Sequence, residues 1–125
     1  MAKKIIIYGR VPSKSNSYKL GKMKSKLGQP CFMYKAKGLT KYEEDFYIQL
    51  PPEIRGININ KWFKLEVDIY YPSKRLDLDN SLKIILDCLE NSKVIKNDNL
   101  CARIEASKAI DKKNPRIEFM IKQII

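Results

Sequence analysis

Residues 62–90 read WFKLEVDIYYPSKRLDLDNSLKIILDCLE, and within this stretch the spacing of the apolar residues changes from every second residue to helical spacing. From Phe63 to Tyr71 every second residue is apolar, which predicts a half-buried strand, and Pro72 should end it. From Asn80 onward the apolar residues fall on one side of a helix. They are Leu82, Ile85, Leu86 and Leu89. The stretch therefore predicts a strand followed by a helix that packs on the same core.

The connection between this strand and helix contains two aspartates. If the chain stays extended through Asp77 and Asp79, their side chains leave the same face of the backbone, so both carboxylates can reach one hard cation. Asp79 or Asn80 is a natural N-cap, and an acid there is favoured by the positive end of the helix. Lys83 lies one helical turn after Asp79, so a cation is expected beside the acids.

A structural role alone could explain an aspartate at a helix start, because Asp is a preferred N-cap residue. Two neighbouring features favour a functional role. The basic pair Lys74 and Arg75 directly precedes the acids, and Asp98 is an isolated acid in the loop after the helix. Asp87 lies one turn after Lys83 and is expected to form an ordinary ion pair with it on the helix surface.

Together these residues resemble the signature of the RusA family of Holliday junction resolvases, in which a basic segment and a DLDN core open a helix with a Lys, and an Asp follows the helix. The matching residues are the run Lys74-Arg75-Leu76-Asp77-Leu78-Asp79-Asn80, then Lys83, Asp87, Leu89 and Asp98. The similarity is specific over residues 72–105. Near the N-terminus, Gly9-Arg10-Val11-Pro12-Ser13-Lys14-Ser15-Asn16 resembles the family's early Pro-Ser-Asn stretch.

The resemblance implies a homodimer that acts on branched DNA by metal-dependent hydrolysis of phosphodiester bonds. It implies that Asp77, Asp79 and Asp98 bind the metal ion. It also implies that Lys83 stabilises the charge of the transition state or orients the attacking water, so these four residues would be catalytic. Carboxylate oxygens are hard ligands that suit Mg²⁺, and Mn²⁺ is the alternative ion.

The charge of the chain points to a polyanionic partner. It has 25 Lys and Arg against 14 Asp and Glu, a formal net charge of +11. This excess does not by itself choose among DNA, RNA and an acidic membrane surface. Lys74 and Arg75 are expected to hold phosphates without reading sequence. In the basic segment 9–26, Lys14 and Lys19 are candidate phosphate contacts, and a solvated loop is the alternative explanation for that segment.

Composition narrows the class of protein further. With 125 residues, of which 44% are hydrophobic, the chain is expected to form one domain over 1–125. It has no apolar run long enough to span a membrane and no signal peptide pattern, so a cytoplasmic protein is expected. The absence of histidine excludes His general bases and His-containing zinc sites, and hydrolysis would then need a metal ion held by carboxylates. The three cysteines suggest neither a disulfide framework nor a zinc site.

A second helix is predicted before the central strand. Thr40 and Glu43 fit a capping box that opens this helix, and the Pro51-Pro52 pair stops it after Leu50. Ile48 is expected among the residues of this helix that face the core.

The remaining segments complete an α+β prediction. A hairpin is expected between 19–20 and 31–34, and two strands, 100–107 and 117–121, are expected to pair antiparallel. The predicted fold is a mixed or antiparallel sheet with two main helices packed on it, which the RusA resemblance also implies.

Three functions fit these observations. The first is a junction-resolving endodeoxyribonuclease that makes paired symmetric cuts in DNA recombination and repair. The second is a non-catalytic nucleic-acid-binding module in which the acids are helix caps. The third is a metal-dependent nuclease that acts on other branched DNA or on RNA.

Overall fold

A computed structural model describes residues 3–12, 18–22, 31–35 and 37–124, with the backbone alone for 18–22 and 31–35. Its strands are β1 Ile5–Tyr8, β2 Tyr18–Lys22, β3 Cys31–Lys35, β4 Phe63–Tyr71, β5 Cys101–Ile110 and β6 Arg116–Gln123. Its helices are α1 Lys37–Gln49 and α2 Leu78–Asn91, and a 3-10 turn, Asp98–Leu100, precedes β5. The predicted α+β class is confirmed.

Four of the strands form a mixed sheet in the order β1-β6-β4-β5, and β2 and β3 form a separate antiparallel hairpin. β6 is antiparallel to both β1 and β4, whereas β5 is parallel to β4. The parallel pair follows from the presence of α2 between the two strands, because parallel neighbours need a long crossover. In the hairpin Leu20 pairs with Met33, which confirms the predicted pairing.

The expected antiparallel pair of β5 and β6 is wrong, because β4 lies between them. The link 111–115 crosses the end of β4, where the Asp111 N–H donates to the Tyr71 carbonyl at 2.8 Å. Strands on either side of a central strand lie about 10 Å apart, a distance that five residues span without strain. Buried residues alternate along the whole length of β4, which suits a central strand. β5 and β6 therefore pair with β4 and not with each other.

The helices cover one face of the sheet, and the core lies between them and the strands. The alternate residues of β4 are buried there, as predicted. Phe46 of α1 stacks on Phe119 of β6 with ring centroids 6.1 Å apart. Ile85 and Leu89 of α2 are fully buried, and Cys88 is buried beside them as a small apolar residue. This packing fixes the start of α2 against the end of β4.

Helix α1 begins earlier than predicted. It starts at Lys37, so Thr40 lies within the helix and not at its N-cap. Leu39 is buried in the core, and burial of this apolar residue accounts for the earlier start. Ile48 is 68% exposed on the outer side of the helix, so its predicted contact with the core is wrong.

The face of the sheet away from the core, called here the polar face, contains a network of ion pairs. They are Lys4–Glu118, Lys64–Glu66, Lys64–Glu105, Lys122–Glu66, Arg116–Asp111 and Arg116–Glu118, with N···O distances of 2.7–3.4 Å. The Arg116 guanidinium also stacks 3.8 Å above the centre of the Tyr70 ring. Lys4, Lys64, Arg116 and Lys122 are therefore neutralised by neighbouring acids.

Glu118 makes the polar face sensitive to acid. Arg116 first, and then Lys4, hold the pKa of Glu118 below its ordinary value of 4.5 against the opposing effect of burial. A carboxylate whose pKa is lower in the folded chain stabilises the fold above its unfolded pKa, and this stability is lost as the pH falls through the folded value. We expect the free energy of unfolding to decline below about pH 4.5.

Urea unfolding at a series of pH values tests this expectation. Glu118→Gln removes the titrating group, so the variant should be less stable than the wild type near neutral pH and should decline less on acidification. Parallel pH profiles for the two proteins would show that Glu118 does not contribute.

Candidate active site

The candidate site lies where β4 ends and α2 begins. α2 starts at Leu78 with Asp77 at its N-cap, so Asp79 lies in the first helical turn, and the extended path expected through both acids is wrong. Leu78 packs partly buried against the core, which favours its inclusion in the helix. Asp77 and Asp79 are both exposed at the positive end of α2, where the helix dipole stabilises negative charge.

Capping does not account for the Asp77 carboxylate. Asp77 has the extended backbone of an N-cap, with φ −92° and ψ 134°, but its side chain accepts no N–H of the first turn. The carboxylate Oδ2 accepts the side-chain amide of Asn80 at 3.5 Å, a long hydrogen bond. Asp79 Oδ1 accepts the Asn80 N–H at 2.9 Å. Because an N-cap Asp stabilises a helix through its side chain, the Asp77 carboxylate is left available for a ligand.

A buried hydroxyl pair supports the backbone of Asp77. Tyr71, the last residue of β4, is fully buried, and its hydroxyl donates to Ser81 Oγ at 2.6 Å. The Ser81 hydroxyl lies 3.3 Å from the Asp77 carbonyl oxygen, which also accepts the Ser81 N–H. Burial raises the pKa of the Tyr71 phenol, and the charges of Asp77 and Asp79 also raise it, so the hydroxyl remains a donor. The strand end and the helix start are thus held together beneath the exposed acids.

We expect Ser81→Ala to lower the free energy of unfolding by about 0.5–1.5 kcal/mol, because the buried Tyr71 hydroxyl loses its 2.6 Å acceptor and keeps only the longer contact of 3.3 Å with the Asp77 carbonyl. Tyr71→Phe should also lower the free energy of unfolding, because the Ser81 hydroxyl then loses its partner. The double variant should lose less than the sum of the single losses, since no hydroxyl of the pair is left unsatisfied. Urea unfolding measures these values, with Tyr47→Phe as a surface control because Tyr47 is 47% exposed. Additive losses would contradict the pairing.

Asp98 is linked to the helix start through Lys83. The Lys83 Nζ lies 3.1 Å from Asp98 Oδ2. Because Lys83 is one turn after Asp79 on α2, this contact brings Asp98 to the same side of the helix as Asp79. The side chains of Lys83 and Asp98 are 55% and 29% exposed, so the pair is open to water and to exchange of partners.

The loop that contains Asp98 is attached to α2 at a second point. Glu90 Oε1 accepts the Asp98 N–H at 2.9 Å. Asn97 caps the 3-10 turn, since its Oδ1 accepts the Asn99 N–H at 2.9 Å. The backbone of Asp98 is therefore held independently of its side chain. The carboxylate can leave Lys83 without loss of these backbone hydrogen bonds.

Comparison with known proteins places the chain in a family. The family model described as Endodeoxyribonuclease RusA matches residues 10–122, which include all the site residues described above. The chain belongs to the RusA family. The crossover junction endodeoxyribonuclease RusA of Aquifex aeolicus (strain VF5) is 31% identical over 81 residues, 64% of this chain. The chain spans 64% of the length of that relative.

The acids of this RusA-family chain are of the right chemical type for a hard divalent cation. Asp77, Asp79 and Asp98 offer carboxylate oxygens, which Mg²⁺ prefers. Within the described ranges, no three acidic or cysteine side chains lie close enough together to form a metal site. Convergence of the three acids on one ion thus stays a prediction, and it requires Asp98 to exchange Lys83 for the ion.

The structure describes the side chains of only two of the four predicted DNA contacts. Lys74 and Arg75 are exposed in the loop before α2. Lys19 lies in β2, where the backbone alone is described, and Lys14 lies outside the described residues.

In the part of the chain that the structure describes, neither helix is long and apolar enough to cross a membrane.

Two supporting residues of the RusA-family site were not predicted from the sequence. Ser81 lies four positions before Ile85, so it is on the buried side of α2. A polar residue on the buried side of a helix is expected to form a hydrogen bond, and this signal could have identified it. Glu90 gave no comparable signal, because its partner is a backbone N–H in the following loop.

Proposed function

We propose that this chain is a metal-dependent endodeoxyribonuclease that resolves Holliday junctions by paired symmetric cuts, in DNA recombination and repair. Membership of the RusA family supports the nuclease activity, and the name of the Aquifex relative, a crossover junction endodeoxyribonuclease, supports the junction substrate. In the structure the proposal rests on the Lys83–Asp98 ion pair, because it links the loop acid to the helix that starts at the other two acids.

Each site residue has a proposed role. Asp77, Asp79 and Asp98 hold the cation, Mg²⁺ or Mn²⁺, through their carboxylates. The bound ion supplies Lewis-acid chemistry that activates water and offsets phosphate charge. Lys83 stabilises the negative charge of the transition state or orients the attacking water. The chain has no histidine, so no imidazole serves as the general base.

The basic loop before α2 is proposed to position the DNA. Lys74 and Arg75 are exposed and precede Asp77 directly, so they can hold phosphates beside the scissile bond. Such contacts fix the register of the DNA but do not read its sequence. Lys14 and Lys19 are proposed as further phosphate contacts from the basic segment after β1.

A homodimer is part of the proposal. Symmetric cutting of a four-way junction requires two identical sites, and a twofold axis between two copies of the chain supplies them. The sedimentation of the chain alone and with a junction would measure this state. A strictly monomeric chain on the junction would contradict paired cutting.

Incubation with a synthetic four-way junction, with and without a chelator, tests the proposed activity. We expect paired nicks at symmetric positions when Mg²⁺ or Mn²⁺ is present and none when the chelator removes the ion. Linear duplex DNA and a structured RNA serve as comparison substrates. Faster cutting of either one would favour the alternative of a nuclease with another substrate, and cutting that persists in chelator would contradict the metal requirement.

A further inference from the structure

Four cations beside the candidate site differ from the paired cations of the polar face and from Lys83, which pairs with Asp98. On the polar face Lys4, Lys64, Arg116 and Lys122 are paired with acids, as described above. Within the described part of the chain, no carboxylate lies within ion-pair distance of Lys74, Arg75, Lys108 or Lys112. Neighbouring cations that lack acids repel one another and together attract an anionic ligand. Lys108 and Lys112 thus extend an uncompensated positive surface beyond the predicted phosphate contacts.

Lys108 connects β5 to the loop before α2. Its Nζ donates to the Lys74 carbonyl at 3.0 Å and lies 5.5 Å from the centre of the Tyr71 ring. An ammonium has three N–H donors, so this single hydrogen bond leaves two of them available to an anion. The contact places an unpaired cation against the same loop that leads into Asp77.

A hollow of about 330 Å³ lies on this side of the molecule. It is lined by Ser73, Lys74, Arg75, Ile110 and Lys112. The turn that bears Lys112 is fixed, because Asp111 Oδ1 accepts the N–H groups of Lys113 and Asn114 at 3.2 and 3.1 Å. Ile110 is 47% exposed and offers an apolar surface between the cations.

We propose that Lys108 and Lys112 bind backbone phosphates of the DNA strand that leads away from the scissile bond, with Lys112 in the hollow and Lys108 beside the loop that lines it. This inference rests on the proposed function, since it takes the strand to be held at Asp77 and Asp79. Cations around an exposed apolar residue suit a nucleic acid backbone, in which charged phosphates alternate with sugars. Contacts of this kind strengthen binding regardless of sequence.

The salt dependence of junction binding tests this proposal. Binding of a synthetic four-way junction is measured in chelator, where no cutting is expected, between about 50 and 200 mM salt. Each phosphate contact contributes about 0.9 to the slope of log K against log salt, so Lys108→Gln with Lys112→Gln should lower the slope by about 2. The matched control is Lys61→Gln with Lys93→Gln, which removes the same charge from exposed positions outside the hollow and, like the test pair, breaks no ion pair among the described residues. The control should keep the wild-type slope.

The outcomes separate this inference from the proposed function. If the wild type does not bind the junction, the proposed function fails. If the wild type binds and the double variant keeps its slope, or the control loses as much, the role of Lys108 and Lys112 is contradicted. Lys112→Gln alone should lower the slope by about 1, and this exposed change tests the hollow even if the double variant folds poorly.

Discussion

Asp77→Asn is expected to slow cleavage of a four-way junction strongly while junction binding is kept or becomes tighter. A catalytic metal ion contributes several kcal/mol to transition-state stabilisation, so loss of one ligand should slow cutting by about 10²–10³-fold. Binding should not weaken, because the variant removes a negative charge that repels phosphate. The fold should be unaffected, since the Asp77 side chain is exposed and makes no capping hydrogen bond.

This variant also separates the nuclease from a non-catalytic binding module. If Asp77 acted only as a helix cap, Asn would replace it with little effect, because Asn is an equally good N-cap residue. Asp45→Asn is the matched control, since Asp45 is a surface acid on α1 that pairs with Lys41 at 3.4 Å. The control should cut at the wild-type rate. Normal cutting by Asp77→Asn would contradict the role of the acids in catalysis.

Lys83→Gln and Asp98→Asn are expected to differ in metal affinity although both lose activity. Lys83→Gln should slow cutting by about 10²–10³-fold, the usual effect of removing one group that stabilises transition-state charge. It should not weaken metal binding, because Lys83 no longer competes for the Asp98 carboxylate. Asp98→Asn should lose both activity and metal affinity. Each variant should lose less than about 1 kcal/mol of stability, since the ion pair is exposed to water.

Single-turnover cleavage, Mn²⁺ titration followed by electron paramagnetic resonance, and urea unfolding measure these three properties. Lys41→Gln is the control for Lys83→Gln, because it also removes a lysine from an exposed ion pair on a helix. Weaker Mn²⁺ binding by Lys83→Gln would show that Lys83 holds Asp98 in place for the ion. The proposed exchange of partners at Asp98 would then be wrong.

The local parts of the fold could be predicted from the sequence because their signals are local. The apolar spacing of two in Phe63–Tyr71 and the helical spacing after Asn80 identified β4 and the face of α2 that is buried. The start of α2 was misplaced, because the contact of Leu78 with the core outweighed the capping preference of later residues. The order of strands was also misjudged, since the position of β4 between β5 and β6 depends on contacts between distant segments.

The site residues come from the sequence motif, and their roles stay predictions. The motif identified Asp77, Asp79, Lys83 and Asp98 as site candidates, and the structure adds the contact of Lys83 with Asp98. Lys108 could not be found in this way, because it approaches the site only through the parallel pairing of β5 with β4. Residues that support a site from a neighbouring strand have no fixed spacing from the motif, so the sequence does not mark them.

Crystals of the chain soaked in Mn²⁺ offer the most direct measurement, since anomalous scattering locates the ion without assumptions about its ligands. We predict one peak per site, with an oxygen of each of Asp77, Asp79 and Asp98 at a coordination distance of about 2.1 Å and with Lys83 no longer paired to Asp98. A bound ion that Asp98 does not reach, while the Lys83–Asp98 pair stays intact, would contradict the three-aspartate site.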